Sequence, residues 1–141
     1  MRVPRSPYDK EAGLVWVPRM LDKARLMNGR ELHEDYQPNL GKGHDERCCT
    51  FLQVDYEDLK QQIAQGKDDA SITEWCFSSG RRPTDLDIEL WNGFMSKLGW
   101  RDENQKISEA FQGRKKAYGI EDRDDIQTFF QLIEYDEDRS K

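Results

Sequence analysis

No apolar run in this chain is longer than the four residues Leu14, Val15, Trp16 and Val17. A membrane-spanning helix needs about 20, so the sequence predicts no span. The opening Met-Arg-Val-Pro carries no apolar stretch of signal-peptide length, and the expected location is the cytoplasm. Cysteine is scarce too. Cys48, Cys49 and Cys76 form an odd set with two members adjacent, and neighbouring cysteines seldom face each other as a disulfide requires. That pattern fits free thiols in a reducing compartment. Histidine occurs only at His33 and His44, with neither HExxH nor CxxC spacing anywhere, so no metal and no cofactor are expected. A phosphate-binding glycine loop is missing as well: Gly41 and Gly43 lack the lysine-serine/threonine step that follows in such loops.

What the chain has in quantity is charge. Charged residues make up 35% of it, against a usual figure of about 25%. Amphipathic helices absorb such a load, because a narrow apolar stripe builds the core while the remaining faces stay polar. Such a composition also occurs in disordered chains, but 4 Trp, 5 Tyr and 6 Phe argue against that here. With 141 residues the chain matches a single domain spanning 1–141, with the first few residues and 136–141 expected to fray. The net charge of −6 is unevenly spread: residues 1–30 hold seven Lys and Arg against three Asp and Glu, a balance of +4, which leaves −10 for the rest. Overall acidity argues against nucleic acid as a primary partner. A small anion or an acidic protein surface stays open as a partner for the basic N-terminal part.

Apolar spacing points to helices throughout, and the fold expected is a compact all-α bundle of about seven short helices. Val17, Met20, Leu21, Ala24 and Met27 repeat with helical period, with Pro18 as first helical residue and Asn28-Gly29 as the stop. A loop over 29–43 follows. Cys48, Cys49, Phe51 and Leu52 predict a short helix, and Asp55 caps another carrying Leu59, Ile63 and Ala64. Asp68 or Asp69 opens the next, with Ile72, Trp75 and Cys76 on one face. Thr84 with Asp87 reads as a capping box for a helix whose stripe is Ile88, Trp91, Met95 and Leu98, closed by Gly99 with Trp100 folding back. Asp102 with Gln105 predicts a further start, and a last helix beginning near Asp122 carries Ile126, Phe129, Phe130 and Ile133.

Three stretches in order, "RSPYDKEAGLVWVPRMLDKARL", "DDASITEWC" and "DIQTFFQLIEYDEDR", resemble a family of small bacterial proteins known as DUF5069, a domain of unknown function. The most specific part is the first, with Trp16, Pro18, Arg19, Asp22, Lys23 and Arg25 behind an Arg-Ser-Pro lead. The resemblance implies a single intracellular domain of bacterial type and brings no activity, cofactor or catalytic residue. The segment "QPNLGKGHDERCC" departs from the family pattern, so a function built on His44 or the cysteine pair gains nothing from it.

The candidate site is the basic cluster Arg5, Arg19, Lys23 and Arg25 with Asp22 among them. On a helical wheel with Arg19 at zero, Lys23 falls at about 40°, Asp22 near 300° and Arg25 near 240°, while the apolar residues occupy roughly 80 to 200°. That places the charges off the buried stripe. Three readings follow: a solvated face with Asp22 pairing to Arg19 and Arg25, a pocket for phosphate or carboxylate at a helix N-terminus, or a surface covered by the acidic tail residues Glu134, Asp136, Glu137 and Asp138. Arg81 and Arg82 in "SSGRRP" are secondary anion candidates. His33 and His44 read as solvated loop residues, and the cysteines as small core residues. The function expected is a binding or interaction module that uses the basic surface for an anionic small molecule or an acidic partner. The alternative is a small enzyme on a phosphorylated or carboxylated metabolite, with Asp22 or His44 as acid/base. An adaptor would reveal itself as an exposed apolar patch. Oligomeric state is not written in the sequence.

Overall fold

The chain turns sharply before its first helix. Strands β1 (Lys10–Glu11) and β2 (Leu14–Val15) pair antiparallel with Glu11 opposite Leu14, so Ala12 and Gly13 form a two-residue turn. Both have positive φ, 52° and 83°, the conformation that matches the right-handed twist of a hairpin. In the computed structural model, which describes residues 2–139, everything after this hairpin is helical or connecting chain.

Helix α1 (Val17–Asn28) starts one residue ahead of Pro18, which sits in the first turn, where its missing N–H costs nothing. It ends at Asn28 with Gly29 as C-cap, as expected, although the left-handed residue is Arg30, at φ 57°, and not Gly29, at φ −84°. The backbone N–H of Glu31 then reaches the Leu26 carbonyl at 2.8 Å, closing the end. The 29–43 loop contains a 3-10 helix, Glu34–Asn39. Helices α2 (His44–Leu52), α3 (Tyr56–Ala64) and α4 (Asp69–Ser79) follow. α2 begins at His44, ahead of the cysteines that signalled it, whereas α3 and α4 are capped where expected, Asp55 accepting from Glu57 and Asp58 and Asp68 from Ser71. Gly80 ends α4 so close to the Leu52 carbonyl that a Cβ there would lie 2.0 Å from the oxygen.

Helix α5 (Asp85–Lys97) carries the expected box, with Thr84 N–H donating to Asp87 at 2.8 Å and Asp87 N–H to the Thr84 hydroxyl at 3.1 Å. Helix α6 (Gln105–Ala117) is capped by Asn104; Asp102 instead accepts from the Gly99 N–H at 2.7 Å. Helix α7 (Phe129–Asp136) starts at a Thr128–Gln131 capping box, well after Asp122, leaving Ile126 buried in the preceding loop. Beyond α7 the backbone folds back, Arg139 N–H donating to the Glu134 carbonyl at 2.8 Å and its guanidinium pairing with Glu134 and Glu137. The rest of the segment expected to fray, 140–141, lies outside the described residues.

The chain divides into two compact units, Met1–Glu89 and Leu90–Lys141, with the division inside α5. In the first, α1 packs on α3 and α3 on α4, around Leu14, Met20, Leu21, Leu52, Leu59 and Ile72. In the second, Phe111, Ile120, Ile126 and Leu132 form the core, with Phe129 and Tyr135 packed on it. No helix among the described residues is long and apolar enough to cross a membrane.

Candidate functional site

α1 buries more of its circumference than its apolar residues occupy. Val17, Met20, Leu21 and Ala24 are inside as expected, but so are Arg19 and Lys23, at 4% and 5% exposure, while Met27 is 41% exposed. The placement of these two cations on a solvated face is therefore corrected. Their burial has a physical cause in what meets them from other elements.

Lys23 Nζ lies 2.9 Å from Asp45 Oδ2, and Asp45, in the first turn of α2, is completely buried. A buried ion pair survives only when its remaining lone pairs are satisfied. Here they are: Trp16 Nε1 donates to Asp45 Oδ1 at 2.8 Å and the Gly41 N–H to Oδ2 at 3.1 Å. The Trp16 ring carries further load, with Lys23 Nζ 5.0 Å from its centroid, the Arg19 guanidinium at 5.5 Å and the His44 ring at 4.7 Å. Arg19 also faces the Tyr36 ring at 5.7 Å and donates to the Arg5 carbonyl at 3.1 Å. Cation–aromatic contacts of this kind offset part of the desolvation of a buried guanidinium. Trp16 is held in place at a φ of 76°, a conformation that costs on the order of 1–3 kcal/mol in a residue with a side chain.

On the other side of α1, Arg5 grips Asp22 with two side-chain bonds, Nε at 2.9 Å and one terminal nitrogen at 2.8 Å, and its backbone N–H adds a third at 2.9 Å. The same terminal nitrogen reaches Asp69 at 2.7 Å. Asp69, at the start of α4, also takes a bond from Arg25, whose second nitrogen donates to the Lys67 carbonyl at 3.1 Å. Bonding to Asp22 raises the Arg5 pKa further above its usual value, against an opposing effect of burial, with Asp69 adding to it. Burial pushes the Asp69 carboxyl up, but the bonds from Arg5 and Arg25 outweigh it and hold the group below its ordinary range. This half of the cluster is accessible, Arg5 being 40% and Arg25 33% exposed at the side chain.

Beside it lies a shallow, wide-open groove lined by Glu11, Arg25, Lys67, Asp68, Asp69 and Ala70. Lys67 Nζ donates there to the side-chain amide oxygen of Gln62, an uncharged partner. The fold thus brings Arg5, Asp22 and Arg25 together around Asp69, and holds Arg19 and Lys23 in the interior around Trp16.

With this arrangement established, comparison with known families is decisive at one level. A family model described as "Domain of unknown function (DUF5069)" matches residues 1–139. The chain belongs to the DUF5069 family. Among curated proteins none matches.

The remaining candidates of this DUF5069 chain sit elsewhere. Arg81 bonds the Phe51 carbonyl at 2.7 Å and pairs with Asp87 at 3.4 Å, tying the start of α5 to α2. Arg82 pairs with Glu74 and lies 5.1 Å from the Phe77 ring. His33 Nδ1 caps the 3-10 helix by accepting from Asp35 N–H at 3.1 Å. Among the described residues no three His, Cys, Asp or Glu side chains are grouped to hold a metal ion. All three cysteines are buried and free, and burial pushes the thiols up, Cys49 to about 12, Cys76 to about 11 and Cys48 well above its usual value. Protonated thiols of this sort make poor nucleophiles. Sequence reasoning missed Asp45, Lys67 and Asp69. Asp69 had a signal, since it was a candidate cap, but its use as a bridge between two arginines depends on the packing of α4 beside α1.

Proposed function

We propose that this DUF5069 protein is a binding module that receives a small anion, carboxylate or phosphate, in the groove between Arg25 and Lys67, with Arg5 completing the basic edge. What carries the reading is Lys67: its ammonium faces a neutral amide oxygen in the same groove as Arg25. An anion entering there gains a cation without displacing a carboxylate. Of the sequence-derived site, Arg5 and Arg25 with Asp22 belong to this edge, and the buried Arg19 reaches it through the Arg5 carbonyl, while Lys23 is committed to Asp45. An acidic protein surface meets the same chemistry. Three free thiols accord with a cytoplasmic setting. The enzymatic alternative has less support, because both oxygens of Asp22 are engaged by Arg5.

Thermal-shift measurements with inorganic phosphate, nucleotides and organic acids test the proposal. A ligand at 100 times its dissociation constant stabilises by about 2.7 kcal/mol. Lys67→Gln should abolish that shift while leaving the ligand-free protein within about 0.5 kcal/mol of wild type. If no anion raises the melting temperature, or the shift survives in the Lys67→Gln, Arg25→Gln double variant, the proposal fails.

A further inference from the structure

The groove beside Arg25 holds more negative charge than a receptor for a simple anion needs. Arg25 and Lys67 line it, but so do Glu11, Asp68 and Asp69, three carboxylates against two cations. Asp69 is matched within the fold, since Arg5 and Arg25 both bond it. Asp68 caps α4 by accepting from the Ser71 N–H at 2.9 Å. Glu11 differs from both. Among the described residues its carboxylate takes part in no hydrogen bond and no ion pair, and it stands outside ion-pair distance of Arg25 and Lys67, although all three line one groove.

The hairpin sets the direction of Glu11. It lies directly opposite Leu14, and residues opposite each other in an antiparallel pair send their side chains to the same face. Leu14 is completely buried, so that face turns toward the body of the first unit, where β1 packs on α1 and α4. Those two helices carry Arg25 and Asp69. Lys10, on the opposite face, is exposed, whereas Glu11 is half-buried. A carboxylate partly withdrawn from water and without a partner is an unmatched charge. Its counterpart of opposite sign is the Lys67 ammonium, which faces only the amide oxygen of Gln62.

One groove therefore offers a cation without an anion and an anion without a cation. Inorganic phosphate satisfies the first and is repelled by the second, while a molecule carrying both charges satisfies both. We propose that the ligand of this groove is a small zwitterion, an amino acid whose carboxylate sits on Lys67 beside Arg25 and whose ammonium sits on Glu11. The inference rests on the reading of the groove as an anion site, and it narrows the anion to one that carries its own amine. Water screens charge contacts in an open groove, and exposed ammonium–carboxylate contacts change affinity by at most about five-fold. The amine should therefore tighten binding about three- to five-fold over the same molecule without it.

Matched pairs test this on the full chain at neutral pH and constant ionic strength: glycine against acetate, γ-aminobutyrate against butyrate, and ε-aminocaproate against caproate. The pairs step the distance between the two charges, and dissociation constants are read from amide chemical shifts of the groove residues. At least one amino acid should bind about three- to five-fold tighter than its alkanoate. Glu11→Gln should abolish that preference by weakening the amino acid and strengthening the alkanoate, because the same carboxylate attracts one and repels the other. A purely structural role for Glu11 would move both in the same direction. Lys67→Gln should weaken every member of the series. If the amine brings no advantage in any pair, or its advantage survives in Glu11→Gln, the zwitterion is overturned while the anion site stands. If amino acids, alkanoates and inorganic phosphate all fail to bind, the anion site itself is overturned and the zwitterion with it.

Discussion

Replacing Lys23 with methionine removes the ammonium beside Asp45 and keeps most of the aliphatic volume. Asp45 has no exposed surface, so its carboxylate has no water to turn to, and it is left to the Trp16 and Gly41 N–H donors. Removing one partner of a buried ion pair typically costs about 3–5 kcal/mol, because the charge left behind is uncompensated. The two neutral donors place this case near the lower end, about 3 kcal/mol, a drop in melting temperature of roughly 10 °C for a chain of this size. Asp45→Asn leaves an uncompensated ammonium and weakens the Trp16 anchor as well, so it should cost at least as much. The informative quantity is the coupling. If the ion pair itself matters, the Lys23→Met, Asp45→Asn double variant should lose about 2 kcal/mol less than the sum of the single losses. Urea unfolding followed by tryptophan fluorescence measures all four proteins, and Trp16 lies within the network being cut. A loss below about 1 kcal/mol for Lys23→Met, or single losses that simply add, would refute the argument that burial of Lys23 depends on Asp45.

Two further outcomes follow from titrating groups. The Asp69 carboxyl is held below its usual value of 3.8 by Arg5 and Arg25, so its contribution is present above that value and is lost as pH falls through the lower folded one. Asp69→Asn should therefore lower the urea midpoint at neutral pH and flatten its fall in acid; a fall as steep as wild type would show that other carboxylates govern it. Burial raises the Cys49 thiol to about 12 and the Cys76 thiol to about 11, so thiol reagents at pH 8 should label the native protein slowly and the urea-unfolded protein fast. Prompt labelling of the native chain would mean that the thiols are more accessible than their burial indicates.

The parts of this fold legible in the sequence are those whose cause is local. Asp55 and Asp68 cap their helices because a carboxylate two or three residues before a free N–H reaches it whatever else the chain does. The Thr84–Asp87 box is visible for the same reason. Thr128 with Gln131 is as local a signal, yet the acids near Asp122 offer an earlier start and Ile126 continues the apolar spacing; the chain takes the later one and packs Ile126 from a loop. What the wheel could not give is the fate of Arg19 and Lys23. An apolar arc says where hydrophobic residues go, and a charged residue at its edge is buried only if a partner arrives from elsewhere. That partner, Asp45, belongs to α2, behind a loop whose course no local signal sets. The same limit holds for α5. Its inward stripe is legible, Trp91, Met95 and Leu98 being buried as the spacing predicts, but the exposure of Leu86, Leu90 and Phe94 is set by tertiary structure. Local chemistry therefore placed the helices of this protein, while long-range packing decided which of their charges are structural.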